Sequence, residues 1–94
     1  MTMPDERTRA LIWAGAFLVE LAKSNTLPIK VRQQAVWIAR HFPTVDEVRM
    51  MAMFRDESTG MGMGLAPPEQ INEWLMSFPN GALLPSTRLK WPDQ

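Results

Sequence analysis

Proline placement limits what this chain can fold into more than any other feature. Eight prolines fall among its 94 residues. The proline ring removes an amide hydrogen and clashes with the preceding helical turn, so it is tolerated at the start of a helix and not inside one. Pro4 and Pro28 therefore suit helix starts, Pro43 and Pro79 act as stops, and Pro67-Pro68 precede a new start. Between these marks the apolar residues recur at three and four positions, the helical period. The spacing predicts helices over residues 4–24, 28–41, 45–55 and 68–77 and an irregular tail over 79–94. The expected fold is all-α, a small three-to-four-helix domain with an irregular C-terminal segment.

Each element carries local support. Asp5 and Glu6 follow Pro4 in a first turn, where negative charge opposes the helix dipole, and Arg9 lies four residues after Asp5. Ala10, Trp13, Ala14, Phe17, Leu18 and Leu21 form one stripe, read as the buried side of the first helix. In the second helix Val31, Ala35, Ile38 and Ala39 form the apolar side, with Lys30, Arg32, Gln33, Gln34 and Arg40 opposite. Thr44-Val45-Asp46-Glu47 matches a capping box, in which the Thr44 hydroxyl and Glu47 carboxylate each accept from the other's backbone amide. Three glycines, two acids, a serine and a threonine make residues 55–64 a mobile loop. Ile71, Trp74, Leu75 and Phe78 share a face in the last helix, ended by Pro79-Asn80-Gly81. The tail ALLPSTRLKWPDQ either drapes over the core or forms a small hairpin.

Composition excludes several classes. A chain of this length supports one core, burying roughly 60 to 65% of its unfolded surface. Ten basic and ten acidic residues give zero formal charge, seven against five in residues 1–49 and three against five in 50–94. Neither half has the positive excess that phosphate neutralisation requires, so nucleic acid is not the expected partner. Absence of cysteine rules out disulfides, thiolate metal sites and a cysteine nucleophile. The N-terminus does not read as a signal peptide and the longest apolar runs are too short for a bilayer, so a cytoplasmic location is expected.

No constellation points to catalysis. His41, the one histidine, sits at a helix end, where it complements the terminal carbonyls. The carboxylates fall at helix starts, in the loop or on outer faces, and Gly60, Gly62 and Gly64 lack the lysine and preceding strand of a phosphate loop. Residues 50–64 hold five of the eight methionines. Thioethers suit Cu(I), but Met51 and Met53 point to different sides of a helix; only Met61 and Met63 keep that freedom, and packing or an adaptable binding surface explains the set better. No metal, cofactor or small-molecule substrate is expected. The second and third helices can be drawn as a helix-turn-helix, with Arg32, Arg40, Arg49 and Arg55 as the basic groups of a DNA-associated regulator. Asp46 and Glu47 would then occupy the end that approaches the bases.

The opening MTMPDERTRA, followed by FLVEL at 17–21 and LPIKVRQQAVWIARHFPTVDEV at 27–48, resembles an uncharacterised family of short bacterial proteins. Its members begin M-T-M-P-x-E-R-T-R-A and continue through a similar L-P, V-R and R-H-[FY]-P segment. The likeness covers about residues 1–48 and implies a small cytoplasmic helical protein; no activity or site residue comes with it. The four tryptophans supply the remaining signal, since indoles left half exposed are favoured interface anchors. Trp13 is expected in the core. The expected function is protein binding or self-association, through Trp37, Met53, Met61, Met63, Trp74 and Trp91.

Overall fold

The computed structural model describes residues 3–53, 55–56, 61–62 and 65–93, with 55–56 and 61–62 described by their backbone alone. The fold is all-α. Helix α1 spans Pro4–Lys23, α2 Ile29–His41, α3 Val45–Met53 and α4 Ile71–Trp74. Between α3 and α4 a two-residue antiparallel ladder pairs Arg55–Asp56 (β1) with Met61–Gly62 (β2), Arg55 opposite Gly62.

The helix ends follow the proline marks. Pro4 occupies the first turn of α1, and the Met3 amide donates to the Glu6 carboxylate at 3.0 Å. Pro28 stands at the N-cap of α2. The capping box of α3 forms in both directions: the Thr44 amide donates to Glu47 Oε1 at 3.1 Å, and the Glu47 amide donates to Thr44 Oγ1 at 3.4 Å. Helix α4 is shorter than the 68–77 expected. After Trp74 the chain tightens, with the Met76 amide donating to the Glu73 carbonyl and the Phe78 amide to the Leu75 carbonyl, both three residues back. No side chain caps its start at Gln70. The chain then turns through Gly81, whose φ of 77° lies where only glycine is at ease.

Helices α1 and α2 form a hairpin, and the described residues of α3, α4 and the tail pack against it. Ala22, Ala35 and Val36 are buried together with Leu18, Leu21 and Leu89 beside them; Val19, Ala39 and Leu83 form the next layer. Ile12 meets Val45, Val48 and Trp74 at the other end. The tail drapes over the core rather than forming a hairpin. Leu83 is buried, its carbonyl accepting from the Val45 amide at 3.0 Å, and the Asn80 amide donates to Glu20 at 2.7 Å.

The stripe expected to be buried on α1 is not the buried one. Thr8, Ile12, Gly15, Ala16, Val19 and Ala22 face the core, whereas Ala10, Trp13 and Phe17 are exposed and Ala14, Leu18 and Leu21 only half-buried. The reason is steric. A Cβ on Gly15 would lie 3.2 Å from Leu83 Cβ, so the tail reaches α1 only across the arc of small residues. On α2 likewise, Val36 joins Ala35 and Ala39 inside, while Val31 and Ile38 stay exposed.

Thr8 is wholly buried and ties α1 to the segment before α4. Its hydroxyl accepts from the Ala66 amide at 2.9 Å and lies 2.6 Å from the Ala66 carbonyl and 3.0 Å from the Pro4 carbonyl, which share its one proton. Thr8→Val keeps the shape and removes these bonds, leaving the part-buried Ala66 carbonyl short of a donor. It is expected to lower stability by about 1–3 kcal/mol, read as a lower urea midpoint with unchanged slope; a midpoint equal to wild type would show that the Thr8 hydroxyl contributes nothing.

Candidate functional site

Two surfaces stand out. The first is the outer side of the α1–α2 hairpin. Residues two apart on a helix point about 200° apart, so Ala10 and Phe17 lie opposite the buried Ile12 and Val19. On α2, Val31 and Ile38 lie opposite Gln33 and Arg40, whose side chains donate to the tail carbonyls of Pro92 and Leu89 at 3.3 Å each. Both sets therefore face away from the tail, on one side of the molecule. Phe17 is 54% exposed and Ile38 44%. At the border Trp13 is exposed rather than in the core. Its indole N–H donates to the Trp74 carbonyl at 2.6 Å, and the Arg9 guanidinium lies over both rings, 5.2 Å from Trp13 and 5.4 Å from Trp74. Arg9 reinforces the border through cation–π attraction.

The residues expected to bind a partner are not gathered into one site. Trp37 is exposed on α2, its ring 4.7 Å from that of His41. Trp91 is partly exposed on the tail, with Arg40 5.7 Å above it, and Arg40 is one turn from Trp37. Met53 is exposed at the end of α3, a helix that packs on α1. Trp74 is a correction: it is buried among Ile12, Val45 and Val48, its N–H without an acceptor among the described residues, and no partner can reach it. The side chain of Met61 and all of Met63 lie outside the described residues.

The second surface is a cleft of about 600 Å³ between the end of α1, α2 and the tail. Its charged lining is Lys23, Arg32, Arg88 and Lys90, against Asp93 alone. Arg32 Nε is buried and unpartnered among the described residues, an arrangement that costs about 1–3 kcal/mol unless something accepts from it. A second cleft, of about 550 Å³, carries Asp46, Glu69 and Glu73 with Arg49. The zero net charge thus conceals a basic and an acidic region. The four arginines of the nucleic-acid reading are divided accordingly: Arg32 lines the basic cleft and Arg40 borders the tail, while Arg49 bonds Asp46 at 3.4 Å in the acidic one. The side chain of Arg55 lies outside the described residues. Asp46 and Glu47 are exposed at the start of α3, where a recognition helix would meet phosphates.

The sequence pattern pointed to some of these groups and misassigned others. Phe17 and Ala10 were visible as part of a stripe but placed inside. Lys23, Arg88 and Lys90 showed no local pattern, since the fold brings Lys23 of α1 to a tail segment more than sixty residues later. Among the described residues no group of three or more histidines or carboxylates is placed to hold a metal ion, and no helix is long and apolar enough to cross a membrane. Comparison of the chain with family models, with curated proteins and with solved structures found no match.

Proposed function

We propose that this protein is a self-associating helical module that acts in the cytoplasm, with a second copy of the chain covering the outer side of the hairpin. The observation that carries the reading is the outer arc of α1, on which Ala10 and Phe17 are exposed and Ala14 and Leu21 half-buried. Ala10, Ala14, Phe17 and Leu21 are spaced four, three and four residues apart, the seam spacing of helices that pair. A twofold axis between positions 14 and 17 sets Phe17 against Ala14 of the second copy, and Leu21 against Ala10. Large side chains then fill the space over small ones, whereas a parallel pairing stacks Phe17 on Phe17 and leaves gaps at the alanines.

Area supports the same occupant. From helix length and spacing, the hairpin offers on the order of 500 Å² of apolar surface per copy. A standard interface buries about 800 Å² per partner, roughly 60% of it apolar. The face is therefore as large as a dimer needs.

Because the chain has no cysteine, single cysteines report the geometry cleanly. Ala14→Cys is expected to give a covalent dimer with a short bis-maleimide, whereas Ser86→Cys, exposed on the tail turn, stays monomeric. Equal cross-linking at both positions, or none at Ala14→Cys, would count against this interface.

A further inference from the structure

We infer that the basic cleft binds a small phosphorylated anion carrying two or more negative charges. Its lining draws one cation from each of three segments: Lys23 from the last turn of α1, Arg32 from α2 and Lys90 from the tail. Among the described residues none of the three makes an ion pair or a side-chain hydrogen bond. Asp93, the one acid on the lining, pairs with none of them. Arg88 is already engaged, its guanidinium donating to the Pro85 and Thr87 carbonyls at 2.9 and 3.2 Å.

Like charges gathered with only Asp93 to offset them repel, and a multivalent anion removes that repulsion in one step. Phosphate fits better than a single carboxylate because it offers more charge and several acceptor oxygens to a guanidinium fork flanked by two ammonium groups. Arg32 Nε, itself buried, has no acceptor among the described residues. Leu89, Ala22 and Trp91 form an apolar wall beside the cations, suited to the non-phosphate part of such a ligand. The volume of about 600 Å³ lies within the roughly 300–1,000 Å³ of small-molecule sites. A nucleic-acid backbone is the poorer candidate, because a polymer needs a long basic track and the cleft carrying Asp46, Glu69 and Glu73 is acidic.

The test is a titration of the full chain with inorganic pyrophosphate at physiological salt, followed by amide and indole shifts. The expected result is saturable one-to-one binding, with shifts confined to Lys23, Arg32 and residues 88–93, weakened at least tenfold by Lys90→Gln. Lys90 is exposed, so this change leaves the fold intact, and Arg32→Gln is expected to weaken binding further. Absence of saturation, or equal shifts at Arg49 and in the cleft, would overturn the assignment. So would tighter, steeply salt-dependent binding of a single-stranded oligonucleotide, which would make a polymer the ligand.

Discussion

Phe17→Asp is expected to leave the helical fold intact and to lower the association constant of the protein at least ~100-fold. The side chain is 54% exposed and belongs to none of the three buried clusters, so the single copy loses little. Aspartate inside a helix costs only about 0.5 kcal/mol relative to the better helix formers. In the proposed pair, however, the carboxylate meets Ala14 of the second copy with no donor to receive it, and the twofold repeats that cost. Light scattering on the eluting protein should report a monomer where wild type reports a dimer, with equal helicity by circular dichroism. Loss of helicity would instead place Phe17 in the core, and unchanged association would remove the outer face as the contact.

Two residues further along the same helix the expectation reverses. Val19→Asp should unfold the chain at 25 °C. Val19 is 1% exposed, packed between Ala39 and Leu83 with Leu18, Phe42 and Leu89 around it. The side chains that form this layer are all apolar, so an ionised aspartate there costs several kcal/mol beyond the lost packing. A small domain holds about 5–15 kcal/mol in reserve, chains of this size toward the lower end. The far-ultraviolet helical signal and the near-ultraviolet tryptophan bands should be lost together. A folded Val19→Asp variant would mean that the buried arc of α1 has been assigned wrongly.

This pair of variants also marks the boundary of what could be read from sequence. The starts of α1, α2 and α3 were legible because they depend on neighbours in the chain: Pro4, Pro28 and the Thr44–Glu47 box act over one turn. The rotational phase of α1 was not. That helix is apolar on two arcs, and periodicity selects the arc with the larger side chains. The fold selects the smaller one, since Leu83, 68 positions after Gly15, approaches closely enough to need it. A non-local contact thus decided a local question.

The same physics explains the tryptophans and the charges. Trp37 and Trp74 have similar standing as residue types, yet one projects beside His41 and the other closes the cluster around Ile12. Which indole is covered depends on where the segment after α3 returns, and Thr8 holds that return through Ala66. The basic cleft is equally non-local, uniting Lys23 with Lys90 in a chain whose halves nearly balance their charge.

Sedimentation equilibrium of the unmodified protein over a wide concentration range tests the central claim most directly. A reversible monomer–dimer equilibrium is expected, the mass rising from 10.7 kDa to twice that value and no further, because a twofold contact closes on itself. A mass that stays at 10.7 kDa up to millimolar concentration, or one that climbs without limit, would contradict it.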